Sequence, residues 1–190
     1  MINYQNIQDS ITYYNNKGYK RVETPWTVTE AISKLTKPED KIDWKISNKN
    51  KALVGSAEQG FLYLVLKGFL PNGKYQSTSP CFREEIFDLI HSKYFLKNEI
   101  FITEEVNDIT LHLLINDALW FFAQKLKVSD EDYNKGEIIK IVEISKDTYD
   151  IEYKGVELGS YGIRENNLCR YIYGTACAEP RLSYCQKLKL

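Results

Sequence analysis

The order of strand-like and helix-like segments predicts an α+β fold, an antiparallel β-sheet flanked by helices. Three observations carry that expectation. Strand-like runs come in two clusters, at 74–103 and 138–173, whereas a doubly wound parallel sheet would alternate strands and helices one by one. The clearest helix lies between the clusters, where Leu111, Leu114, Ile115, Ala118, Leu119, Phe122 and Leu126 recur at helical spacing behind Asn107 or Asp108 as N-cap. Lys154-Gly155 joins two strand-like runs as a tight turn, which only antiparallel neighbours can use.

In chain order, residues 2–16 suggest a short helix stopped by Gly18, and residues 19–23 a strand ending at Pro25. The polar, lysine-rich stretch 37–51 reads as an exposed excursion within one domain. Ser56 and Gln59 have the spacing of a capping box, so a helix is expected from Ala57 through the apolar run 61–66 toward Gly68. Pro71-Asn72-Gly73 is turn chemistry. Strands are then expected at 74–83 and 94–103, joined by a loop at 84–93. After the long helix come strands at 138–145, 148–153, 156–163 and 169–173, with a closing helix from Ala176 onward.

A chain of 190 residues with 43% hydrophobic content suits a single domain. It is short for two. The formal charge of −1, without long runs of either sign, lacks the footprint of a dedicated nucleic-acid binder. Cys81, Cys169, Cys177 and Cys185 match neither a paired-cysteine zinc site nor a dense disulfide frame, and only His91 and His112 could supplement them; free thiols are expected. The first ten residues are polar where a signal peptide is apolar, and no run approaches the roughly 20 apolar residues of a membrane span. A reducing, cytoplasmic compartment and no membrane partner are the expectations that follow.

Three short motifs stand in order along the chain. Lys17-Gly18-Tyr19-Lys20-Arg21-Val22-Glu23-Thr24-Pro25 passes from a helix to a strand that ends at a proline. Phe82-Arg83-Glu84-Glu85 closes a strand, and His91-Ser92-Lys93-Tyr94-Phe95 opens the next. Gly174-Thr175-Ala176-Cys177-Ala178-Glu179-Pro180-Arg181 leads through small side chains to an arginine. Each has a plain structural account: a proline closing an edge strand, ordinary charges at an exposed strand end, a strand followed by a proline-initiated helix. Together and in this order they resemble the three signatures of the class II aminoacyl-tRNA synthetase catalytic core.

The resemblance implies a homodimer through the first helix and the 19–25 strand, and an ATP site in which several residues have roles. Arg83 would bridge the α-phosphate and the substrate carboxylate, Glu85 would accept from the adenine amino group, and His91 would lie near the leaving phosphates. Phe95 would stack on the adenine, with Arg181 over the opposite face and reaching the γ-phosphate. Guanidinium suits such roles, because it holds two anions in fixed geometry and stacks on rings.

Between the signatures, Gly55-Ser56-Ala57-Glu58-Gln59 is similar to the Thr-x-Glu loop of seryl- and prolyl-type enzymes, which implies that Ser56 and Glu58 recognise the substrate ammonium. A capping box and the helix dipole account for the same residues structurally. Lys97-Asn98-Glu99-Ile100-Phe101 resembles the seryl-type strand whose acidic residue, here Glu99, lines the amino-acid pocket. Glu157-Leu158-Gly159-Ser160-Tyr161-Gly162-Ile163-Arg164 looks like the strand before the third signature. That places Ser160 in the amino-acid pocket and gives Glu157 a Mg²⁺ ion, for which one carboxylate beside phosphate oxygens suffices. The sequence departs from the pattern at Ser56 (threonine in the family), at Ala176 (a second glycine) and at Pro180 (glycine or glutamate).

The implied activity is ATP- and Mg²⁺-dependent activation of an amino acid or similar carboxylate as an acyl-adenylate, with tRNA or another molecule as acceptor. A catalytically silent paralogue acting as a regulatory or ligand-binding subunit is the alternative. Gly162-Ile163-Arg164 adds a weaker match to the asparagine synthetase A family, which makes an amide.

Overall fold

The computed structural model describes residues 1–37, 41–47, 49–84 and 92–188. Its centre is a seven-stranded sheet in the order β1-β4-β5-β9-β8-β7-β6, formed by β1 (Lys20–Arg21), β4 (Lys74–Phe82), β5 (Tyr94–Ile102), β9 (Arg170–Glu179), β8 (Val156–Glu165), β7 (Thr148–Tyr153) and β6 (Ile139–Ser145). Every pairing is antiparallel except β1 with β4. The α+β expectation therefore holds, with one short parallel strand added at an edge.

Strand alternation divides the sheet into two apolar faces. On β5, Ile100 and Ile102 point into the larger core, built with α1 (Tyr4–Asn16) and α4 (Asp108–Leu126), while Phe101 points into the smaller core under α3 (Ala57–Leu66). The α4 stripe read from the sequence is the buried one: Leu111, Leu114, Ile115, Ala118, Phe122 and Leu126 all lie in the larger core. Asn107 is its N-cap, accepting from the Thr110 N–H at 3.0 Å. In the smaller core Phe61 and Tyr171 stack on either side of Phe101, with ring centroids 4.8 and 4.7 Å away.

Three parts of the sequence reading change. Residues 176–179 are strand: β9 runs on to Glu179 because Ala178 and Cys177 pair with Lys97 and Asn98 of β5, and the closing helix α6 (Arg181–Cys185) starts only after Pro180. A run of small apolar residues carries no period that separates a buried strand from a helix. Around the 37–51 excursion, β2 (Thr27–Thr29) and β3 (Lys51–Leu53) form a small sheet of their own, with α2 (Glu30–Ser33) between them in sequence. After α4, an exposed helix α5 (Asp130–Lys135) is capped by Ser129, whose hydroxyl accepts from the Asp132 N–H. The four cysteines are free thiols, with Cys81, Cys177 and Cys185 buried. No helix among the described residues is long and apolar enough to cross a membrane.

Gly60 lets α3 dock on the segment that follows β1. A Cβ there would stand 2.6 Å from Thr24 Cβ and 3.0 Å from the Pro25 carbonyl oxygen, and backbone cannot swing aside. Gly60→Ala is expected to lower unfolding free energy in urea by roughly 1–3 kcal/mol, the usual cost of overpacking; an unchanged midpoint would show that α3 can move off Thr24.

Candidate active site

The face of the sheet on the α3 side carries a row of candidate residues. Phe95, Lys97 and Glu99 follow one another at alternate positions of β5 on that face, in line with Phe101. Thr175 and Tyr173 come from β9, Ser160 and Arg164 from β8, and Arg83 from the end of β4. Gly159 keeps β8 close to β9, since a Cβ there would lie 2.7 Å from Thr175 Cβ. Two cavities open on this surface, each of about 210 Å³. Their shared wall consists of Arg83, Lys97, Ser160 and Thr175.

The first cavity holds all four residues expected in the amino-acid pocket, Ser56, Glu58, Glu99 and Ser160. Glu99 is buried and receives the Ser56 hydroxyl at 2.7 Å, the Lys97 ammonium at 2.9 Å and the Ala57 N–H. Burial alone would raise its carboxyl; Lys97, Ser56 and the Ala57 amide outweigh that and hold it below the ordinary carboxylate range. Glu58 is buried as well. Both its oxygens accept from Arg164 Nη1, at 2.8 and 2.7 Å, and Oε1 also accepts from the Tyr171 hydroxyl at 2.8 Å. Burial still pushes the Glu58 carboxyl up, against the pull of Arg164 and Tyr171. Arg164 lies over the Tyr173 ring, 4.2 Å from its centroid.

Ser56 caps α3, accepting from the Glu58 N–H at 3.1 Å, but the capping box is displaced. Gln59 accepts from the N–H of Gly55, one residue before the cap, at 2.9 Å. The same glycine's carbonyl accepts from Arg83 Nε at 3.1 Å, and the guanidinium sits 5.1 Å from the Phe95 ring centroid. A loop, a strand end and an aromatic ring thus fix Arg83 where the cavities meet.

The second cavity contains Phe95, Glu157 and Arg181. Arg181 Nη1 donates to Glu157 Oε1 at 2.8 Å. At its back Glu179 is fully buried and ties β9 to α1, accepting from Asn6 Nδ2 at 2.6 Å. Of the residues expected from the resemblance, all those described line one of the two cavities. Glu85 and His91 lie outside the described residues.

Solved structures share this architecture. A cytoplasmic serine-tRNA ligase from Naegleria fowleri, in complex with AMP, superposes with a TM-score of 0.71 at 18% identity over 95% of this chain and 47% of its own. Seryl-tRNA synthetase from Pyrococcus horikoshii, complexed with ATP, gives 0.70 at 16% identity over 94% of this chain and 48% of its own. Pyrrolysyl-tRNA synthetase from Desulfitobacterium hafniense gives 0.69 at 16% identity, over 94% and 67%. The fold is that of a class II aminoacyl-tRNA synthetase core. This chain spans about half the length of the two seryl enzymes. No protein-family model matches the sequence, and no curated protein matches it at the sequence level.

Within the synthetase-like core, the sequence reading missed the partners of its own candidates. Lys97 neutralises Glu99, and Arg164 and Tyr171 occupy Glu58, over separations of 106 and 113 residues. Asp150 was missed as well. It pairs in register with Ser160 across β7 and β8, and its carboxyl is pushed up by burial and by the charge of Glu157, against a hydrogen bond from Ser160. The Lys154-Gly155 hairpin was legible, so counting back from that turn would have placed Asp150 opposite the 159–160 segment.

Among the described residues no group of three or more His, Cys, Asp or Glu could hold a metal ion unaided. Of Asp150 and Glu157, Glu157 alone stands in the second cavity, and one carboxylate is compatible with Mg²⁺ only where phosphate oxygens and water complete the shell.

Because Glu99 has a lowered pKa when folded, its contribution to stability is complete above the ordinary glutamate value of about 4.3 and is lost as pH falls through the lower folded value. The wild-type urea midpoint is expected to drop as pH falls below about 4.3, and to drop less steeply in Glu99→Gln. Parallel curves for the two proteins would mean that the Glu99 cluster gives no net stabilisation.

Proposed function

We propose that this chain binds ATP and activates a carboxylic acid, an amino acid or a close analogue, as its acyl-adenylate. The observation that carries the reading is the shared wall: Arg83 lines both cavities, one with the residues expected of an acid pocket, the other with Phe95, Glu157 and Arg181 as a nucleotide site would require. Adenine would lie between Phe95 and Arg181. The ATP and AMP held by the two seryl-type structures support a nucleotide here.

In the proposed reaction a carboxylate oxygen attacks the α-phosphorus in line. The new O–P bond forms as the bond to the β-phosphate bridging oxygen breaks, and that electron pair leaves on pyrophosphate. An ionised acid needs no general base, so the protein's task is positioning and charge. Arg83 would hold the carboxylate and α-phosphate together and stabilise the added negative charge. Arg181, turning from Glu157, would meet the outer phosphates. Glu157 would hold Mg²⁺, which supplies positive charge against the triphosphate. The acceptor that follows, tRNA or another nucleophile, lies beyond these residues, and the homodimer through α1 and the 19–25 segment is proposed on family grounds alone.

The test is ATP–pyrophosphate exchange across the amino acids and their analogues at saturating Mg²⁺. Exchange above background with at least one acid is expected, and Arg83→Ala should reduce it by roughly 10²–10³-fold, as loss of a transition-state donor does. Silence with every acid, together with no thermal stabilisation by ATP, would favour the silent subunit. The Arg181–Glu157 pair lends that second reading some support, since it occupies both groups internally.

A further inference from the structure

Arg181 opens α6, a helix of five residues whose N-cap, Pro180, makes no side-chain cap hydrogen bond. So short a helix is marginal by itself, and its place is set by what it packs on. Behind it lies Asn6, buried in the first turn of α1. The amide Nδ2 of Asn6 donates to Glu179 Oε1 at 2.6 Å and to Gln186 Oε1 at 3.0 Å, with Ser183 Oγ 3.5 Å away. Its Oδ1 accepts from Gln186 Nε2 at 3.3 Å. Glu179 precedes Arg181 in the chain and Gln186 follows it, so one side chain grips both approaches to the arginine. The grip is anchored on two further helices. Glu179 Oε2 accepts from the Asn3 N–H at 3.4 Å, at the end of α1 whose dipole favours a carboxylate, and Gln186 Nε2 donates to the Lys125 carbonyl at the end of α4 at 3.1 Å.

A bulge in β9 delivers Glu179 to this side. Asn98 pairs with Cys177 and Glu99 with Thr175, which leaves Ala176 as the extra residue. Ala176 and Cys177 consequently both lie in the larger core, and alternation then puts Ala178 on the wall of the second cavity and turns the Glu179 carboxyl toward α1. Because Glu179 and Asn6 are buried behind that cavity, a nucleotide can draw the Arg181 side chain off Glu157 without disturbing them.

We infer that Asn6 is a positioning residue for the nucleotide: by holding the β9–α6 corner on both sides of Arg181, it sets the place from which that guanidinium reaches the outer phosphates. The inference rests on the reading of the second cavity as an ATP site. Asn6 acts through Glu179 and Gln186 and does not itself touch the ligand.

Asn6→Ala tests this with two measurements. Amide hydrogen exchange needs no ligand: residues 181–186 should exchange roughly tenfold faster or more, while the buried α4 amides keep their wild-type rates. In calorimetric titration with Mg²⁺ present, affinity for ATP should fall roughly tenfold or more, the weight of a hydrogen bond to a charged group, and affinity for AMP, which lacks the outer phosphates, by about threefold or less. With Arg181→Ala already in place, Asn6→Ala should cost ATP nothing further. Unchanged exchange at the corner would overturn the inference, and so would equal losses for ATP and AMP, the pattern of a purely structural asparagine. Should Asn6→Ala not fold, Gln186→Ala removes half of the grip at an exposed side chain; the same selective loss at smaller size supports the inference, and equal losses count against it. Full ATP affinity in a folded Asn6→Ala sinks this inference and leaves the ATP reading standing. A wild type that binds neither nucleotide sinks the ATP reading, and the phosphate role of Asn6 with it, even where exchange shows that the corner is held.

Discussion

The site depends on one buried carboxylate. Glu99 lies in the middle of the sheet and reaches the first turn of α3, where it takes an amide N–H that the helix leaves unpaired and whose dipole favours an anion. The same carboxylate takes the Ser56 hydroxyl and the Lys97 ammonium. That contact locks the 55–59 loop onto β5. The loop then supplies the Gly55 carbonyl to Arg83, and β5 supplies Phe95 beneath the same guanidinium. A single strand and a single loop therefore set the positions of Arg83, Lys97 and Phe95, and removing Glu99 would loosen the loop that holds Arg83 and take from Lys97 its carboxylate partner.

Much of the fold was legible because its signals are local. Caps at Ser56 and Asn107, the α4 stripe and the Lys154-Gly155 turn each declare themselves within a few residues, and strand alternation sends Lys97 and Glu99 to one face. The positions expected from resemblance likewise fall on the two cavities wherever they are described. What stayed hidden is set by pairing across the sheet. Nothing near Glu58 indicates that Arg164 and Tyr171 will close over it, because β8 and β9 bring them from more than a hundred residues away. The run from Ala176 to Glu179 was misread for the same reason: pairing with β5 decides its conformation, and the run itself has no period.

Buried ion pairs of this kind are poor sources of stability, since desolvation of both charges offsets most of their attraction. Their effect is geometric. A guanidinium stacked on Tyr173 and bridged to Glu58 has few other orientations available, and a lysine buried against Glu99 has lost the freedom that a surface lysine keeps. Such groups are in place before a ligand arrives, so no reorganisation is required of them when charge develops nearby.

The distribution of these groups between sheet and loops has a chemical consequence. The wall common to both cavities comes from the end of β4 and from β5, β8 and β9, joined by antiparallel ladders whose one irregularity falls between Asn98 and Glu99 on β5. The outer boundary of the first cavity comes instead from Thr36, Lys37, Lys41, Ile42 and Asp43, outside the seven-stranded sheet. In the proposed reaction, bond-making between an acid and a phosphate would tolerate little displacement, and the groups assigned to it stand on the sheet. Selection of the acid's side chain would need only a cavity of suitable shape, and on that proposal it would fall to these outer residues. Change there would then alter which acid enters without moving Arg83, whereas change at Glu99 would reach both the pocket and the chemistry at once.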